Sequence, residues 1–257
     1  MLFGTWSLPK RNMSANIPVQ ISFDGKNTWM AEQSMFKREQ SSNTKQSLLL
    51  AAANTFDRKG FLGTNLTDVC ASAGVTKGAL YCHFPSKEAL AVALIESQLR
   101  LWHEVHHHLA QQPLSPMQSL IDLSHEFGNR LRTDVRARVG VRLLFEADLF
   151  DREAGGQFHG WITMVRELLL LADAAGQLRP EVHPREAAES LVAAFTGTQL
   201  LSRATSGHDD LEARFTALWR LWLPALVVAA ELAALRVGPP SAEPDLFVPV
   251  QQTAGIT

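Results

Sequence analysis

Between Leu66 and Phe84 the chain reads LTDVCASAGVTKGALYCHF. Lys77, Tyr81 and His83 bring a cation, a phenol and an imidazole to one short stretch. On the exposed side of a helix, that set suits hydrogen bonding to phosphates and base edges in the major groove of DNA. Catalysis is not expected. There is no phosphate loop, nucleophile elbow, HExxH pair or dinucleotide fingerprint. A second polar cluster, WHEVHHH from Trp102, sets His103 and His107 at i, i+4, a spacing that can share a divalent ion. No cysteine or carboxylate from another segment obviously completes such a site. A solvated polar face is the expectation, with no metal and no cofactor.

The elements that must carry these residues are legible locally. Leu66, Val69, Cys70 and Ala73 fall at i, i+3, i+4, i+7 and give a first short helix one apolar face. Asn65 is placed to cap it, and Gly74 permits the left-handed residue that ends it. Thr76 is a natural N-cap for the second helix. Gly78 and Ala79 are small enough for close approach, and Leu80 and Phe84 anchor that helix to a core. A preceding helix over 43–60 carries Leu49, Ala52, Ala53 and Phe56 and stops at Gly60. A long helix starts near Ser86. Further helices are predicted over 115–132, 136–150, 157–175, 184–203 and 209–235, and no segment has the period of a strand. The fold class is therefore all-α.

Residues 1–40 and 237–257 lack a sustained period and are read as a flexible extension and a flexible tail, the latter stopped by Pro239, Pro240 and Pro244. The formal charge of −2 over 257 residues gives no global positive field, so any DNA contact must be a local patch. Two cysteines, Cys70 and Cys82, do not make a disulfide framework and point to a reducing cytoplasm. The first residues lack a signal-peptide pattern. The apolar run Leu221–Leu235 is too short and too polar to span a bilayer, so no membrane partner is expected.

The string VTKGALYCHFPSKEAL, with AAANTFDRKGF before it, resembles the DNA-binding signature of TetR-family repressors. The resemblance covers residues 43–100. It implies an N-terminal helix–turn–helix domain (41–88), a helical ligand-binding and dimerisation domain (89–236), and double-stranded operator DNA as partner of a homodimer. It also implies phosphate contacts from Tyr81, Lys87 and Lys45, with Thr76, Lys77 and Gly78 nearest base edges. His83 is implied to pack beside a phosphate. Cys82 stands where the family is often aromatic.

The segments VRARVGVRLLFEADLF, FHGWITMVRELLLLADAAGQL and AAESLVAAFTGTQLLSR resemble the γ-butyrolactone receptor branch of that family. By this resemblance Trp161, Thr198 and Gln98 contact a small lactone, butenolide or furan-type effector that releases the DNA and so controls antibiotic or secondary-metabolite genes. A drug- or antibiotic-sensing TetR regulator is the alternative. Arg142 and Glu146, at i, i+4, pair with each other; if Arg142 faced the pocket instead, a carboxylate effector such as a furan acid would fit. The last two helices, with Leu218, Trp219, Trp222 and Leu226, are expected at the dimer interface.

Overall fold

The computed structural model describes residues 25–146 and 155–240. The chain divides into two compact units, Met1–Thr44 and Lys45–Thr257. Of the first, the described part is helical from Gly25, so the expected extension over 1–40 is shorter than its pattern suggested; residues 1–24 lie outside the described residues. That stretch has no proline after Gly25 and carries two residues each of Glu, Gln, Met and Lys, which favour a helix without any apolar face to announce it. All features discussed below belong to the second unit.

Ten helices run in order: α1 Gly25–Gly63, α2 Leu66–Ala73, α3 Lys77–His83, α4 Lys87–Ala110, α5 Pro116–Thr133, α6 Val135–Phe145, α7 Gly155–Ala174, α8 Pro184–Ser206, α9 Leu211–Leu226 and α10 Ala229–Leu232. The boundaries follow from caps. Asn65 accepts from the Asp68 N–H, Thr76 from Ala79, Ser86 from Ala89, Ser115 from Gln118 and Asp134 from Arg136. Each such cap contributes about 1 kcal/mol. Gly60, at φ 72°, breaks α1 at the predicted stop, and Gly74, at φ 65°, ends α2. In both places a side chain would meet the left-handed steric penalty.

The second half of α1 packs with α2 and α3 as a small head. Leu48, Ala52, Phe56, Val69 and Leu80 are fully buried there, joined by Leu90 and Leu94 of α4 and by Val139 and Leu143 of α6. A second core joins α4, α5, α7, α8 and α9 around Met117, Ile121, Leu169, Leu191 and Trp219.

Two expectations change. The predicted helix over 209–235 ends at Leu226. Pro224 has no N–H to give its own turn, and the chain then leaves the helix: Val228 N–H donates to Gln177 O and Arg179 N–H to Leu226 O. The only β pairing among the described residues is the resulting bridge between Leu178 and Val227. The helix predicted over 136–150 is helical to Phe145; residues 147–154 lie outside the described residues.

The expected tail also begins later than 237. Arg236 donates to both Asp122 carboxylate oxygens (2.8 and 2.9 Å), its backbone exchanges hydrogen bonds with the Gln118 amide, and the His125 ring bonds Val237 O at 2.9 Å. Residues 236–238 thus form a strap across α5. Residues 241–257 lie outside the described residues.

Candidate functional site

On α3, Leu80 and Phe84 point into the head while Lys77, Gly78, Tyr81 and Cys82 stand exposed. The seven-residue helix therefore presents one polar face outward. Thr76 is exposed beside it, with its hydroxyl oxygen accepting from Ala79 N–H at 3.2 Å. A Cβ on Gly78 would meet only that hydroxyl, 3.8 Å away. Nothing inside the protein demands a glycine there. His83 is half-buried against Phe84. Lys45 is exposed, its ammonium 5.9 Å from the Phe84 ring.

Lys87 is placed differently from the expectation. Its ammonium donates to Phe61 O at 2.9 Å and Thr64 O at 3.1 Å and lies 4.4 Å from the Phe61 ring. Two of its three donors therefore fasten α4 to the corner between α1 and α2. Around this corner Lys59 bonds Asp68 at 2.7 Å and holds that carboxyl below its usual range.

A cavity of about 90 Å³ lies inside the second core. Its walls come from four helices: Trp102 on α4, Leu120, Ser124 and Phe127 on α5, Trp161 and Met164 on α7, and Leu191, Phe195 and Thr196 on α8. The lining is almost wholly apolar and aromatic. Phe127 stands 4.5 Å from the Trp102 ring and 5.9 Å from the Trp161 ring. The indole N–H groups of Trp102 and Trp161 are both buried without a partner.

With these surfaces described, the likenesses to known proteins can be placed. Residues 48–94 match the model for bacterial regulatory proteins of the tetR family. The A-factor receptor protein of Streptomyces griseus is 34% identical over 222 residues, covering 86% of this chain and 76% of that protein. The chain belongs to the TetR family.

Solved structures agree with that membership. One, concerned with control of antibiotic production by bacterial hormones, is 34% identical with a TM-score of 0.69 over 72% of this chain and 98% of that one. Another is the TetR-family protein CprB of Streptomyces coelicolor in complex with its operator, 28% identical with a TM-score of 0.64 over 76% and 93%. As a TetR regulator the chain is a transcription factor and not an enzyme, and α2 and α3 are its helix–turn–helix.

Within this TetR fold the expected effector residues separate. Trp161 lines the cavity. Thr198 does not: Thr196 takes that wall, because two positions along a helix turn the side chain by about 200°. Arg142 does not face the cavity either. Its guanidinium bonds Phe56 O, lies 3.7 Å from the Asp57 carboxylate and 3.4 Å from Glu146, and neighbours Arg138, which donates to Asp57 at 2.9 Å. The i, i+4 pair with Glu146 is present, but the main partner is the head.

Gln98 is 2% exposed with both amide atoms unpartnered, yet it is not among the lining residues. It sits at a close approach of α4 and α6: a Cβ on Gly140 would lie 2.9 Å from Gln98 Cβ and 3.0 Å from Leu94 O. Of the residues expected at a dimer interface, Trp219 and Leu226 are buried in this chain's own core, where Trp219 N–H donates to Ser124 Oγ at 2.7 Å. Leu218 and Trp222 are half-buried, and the exposed large apolar residues of α8 and α9 are Leu200, Leu201 and Leu221.

Sequence reasoning missed Trp102, Phe127, Phe195 and Thr196. Trp102 was visible only as the start of a histidine-rich run, and the rest as ordinary apolar helix positions. Of that run, His107 bonds Gln111 at 2.9 Å, and among the described residues no group of three or more side chains is arranged to hold a metal. No described helix is long and apolar enough to cross a membrane.

Proposed function

We propose that this TetR regulator is a cytoplasmic homodimeric repressor of the γ-butyrolactone receptor type. It holds operator DNA through α3 and is released by a small lactone, butenolide or furan-type signal, so that antibiotic or secondary-metabolite genes are expressed. Thr76, Lys77 and Gly78 lie nearest the base edges, with Tyr81 and Lys45 on phosphates, His83 beside a phosphate and Lys87 positioning the head. The dimer forms through α8 and α9, with Leu201 and Leu221 (52% and 73% exposed) facing the partner copy. The two α3 helices then lie about one DNA turn apart, ~34 Å, or a small multiple of it.

The observation that carries this reading is the path from cavity to head. Trp102 of the cavity wall and Lys87 at the head corner belong to one helix, α4. Trp161 packs at the meeting of the second core, a smaller cluster around Phe215, and the head core itself. A ligand larger than the resting cavity must move these walls; an apolar void of about 150 Å³ is what one benzene needs. Moving them displaces α4 and α6, to which the head is fastened. The ligand shifts the equilibrium only by binding the displaced state better than the DNA-bound one.

The test is a gel shift on the protein's own promoter with butyrolactones, butenolides and furan acids. At least one class is expected to release the operator from the wild type, while Trp161→Ala binds operator and is not released. Release of the variant at wild-type ligand concentration would refute the pocket assignment. Release only by drugs or antibiotics would move the regulator to the drug-sensing kind.

A further inference from the structure

We infer that Gln98, from outside the cavity, sets the balance of the switch. Its buried side-chain amide destabilises the tight α4–α6 crossing and so keeps the released arrangement within a small effector's reach. This rests on the effector-receptor reading above. Gln98 is 2% exposed, and among the described residues neither its amide nitrogen nor its amide oxygen has a hydrogen-bond partner. Leu94 and Trp102, one turn away on either side along α4, are buried, as are Val139, Val141 and Leu143 of α6. Gly140 brings the α6 backbone onto the stem of the glutamine, 2.9 Å separating its missing Cβ from Gln98 Cβ. A primary amide carries two N–H donors and an acceptor oxygen, and burying them unpaired is costly. An apolar side chain of the same length has no such cost.

The place of the amide decides what that cost acts on. One turn further along α4, Trp102 forms part of the cavity wall. At the start of the same helix Lys87 grips the head, and from α6 Arg138 and Arg142 hold Asp57 and Phe56 O. The cavity of about 90 Å³ is smaller than one benzene needs, so the tight crossing is the arrangement that an effector must leave. Parting α4 from α6 admits water to the amide and restores its hydrogen bonds. The penalty therefore falls on the operator-holding arrangement alone. A ligand can overturn only as large a gap as its differential affinity covers, and Gln98 narrows that gap.

Gln98→Met tests this, because methionine keeps the unbranched length and removes the amide. The readout is the distance between the two heads of the effector-free dimer, by double electron–electron resonance between nitroxides on Asn54→Cys in a Cys82→Ser chain. Asn54 is exposed on α1 with its amide on Leu50 O of the same helix, and Cys70 is buried and takes no label. The labelled parent is expected to show two separations, of which operator DNA selects one. Gln98→Met should raise the ratio of that one to the other about tenfold. In gel shifts, whichever butyrolactone, butenolide or furan acid releases the wild type should be needed at about tenfold higher concentration. Gln98→Leu repeats both measurements if the methionine variant does not fold. A raised unfolding midpoint with an unchanged ratio would leave Gln98 a packing residue and overturn the inference. So would an unchanged midpoint and ratio, the result if a trapped water already serves the amide, or a single separation in the parent. If no compound releases the wild type, the receptor reading fails, and the effector-free ratio still decides for or against Gln98.

Discussion

Lys87 and Tyr81 carry opposite assignments although the motif lists them together. Tyr81 is 53% exposed on α3, whereas the Lys87 ammonium is turned onto two backbone carbonyls. Tyr81→Ala should weaken operator binding by about 1–2 kcal/mol, the scale of one hydrogen bond to a charged group. Lys87→Met should instead destabilise folding by about 1.5–3 kcal/mol and leave the salt dependence of operator binding unchanged. Urea unfolding and a salt series in the gel shift separate the two. A shallower salt slope in Lys87→Met would return the residue to the phosphate contacts. This difference was not readable in the motif. Lys87 lies 26 positions after Phe61, and only the folded corner shows that the two meet. What the motif did display were its local features, the caps and the inward Leu80 and Phe84, because each depends on neighbours within a turn.

At the scale of elements, α6 is a second tie to the head, beside α4. Arg138 and Arg142 tie it to Asp57 of the head, and Gly140 lets it cross α4 closely. Gly140→Ala should cost about 1–3 kcal/mol, because its Cβ meets Leu94 O as well as the Gln98 side chain. Operator affinity should fall with it, since both helices that hold the head must part; an unchanged unfolding midpoint would show that the crossing is slack. Helix existence was legible almost throughout, from apolar spacing and caps. The cavity was not, because its walls come from four helices far apart in sequence. The threonine of the FTGT run was assigned one half-turn off for the same reason: resemblance located the segment, and only packing decides which face it shows.

For the whole molecule, burial sets a pH dependence. Desolvation is the main cause that holds His106, His125 and His208 below the ordinary imidazole value. The unfolded chain takes up those protons near pH 6.5, while the folded chain does so only at lower pH. Between the two the unfolded state binds more protons, so stability declines as pH falls through that window. The thermal midpoint should be lower at pH 5.5 than at 7.5, and His125→Gln should narrow the gap; equal midpoints at both values would remove this account. Assembly belongs to the same scale. Leu221→Arg places a charge on the most exposed leucine of α9. It should yield a monomer by light scattering and abolish operator binding, and a stable dimer from that variant would move the interface elsewhere.

The strap over α5 has a genetic consequence. A nonsense or frameshift lesion at Arg236 would leave every DNA-reading residue and every cavity wall encoded. Yet it would strand Asp122, only 3% exposed, without its guanidinium and would strip partners from Gln118 and His125. Losing one partner of a buried pair costs about 3–5 kcal/mol, and the partly exposed arginine puts this case at the lower end. That is a large share of a domain's net stability. Alleles lacking only the last two dozen or so codons would therefore behave like deletions of the repressor, through loss of stability alone.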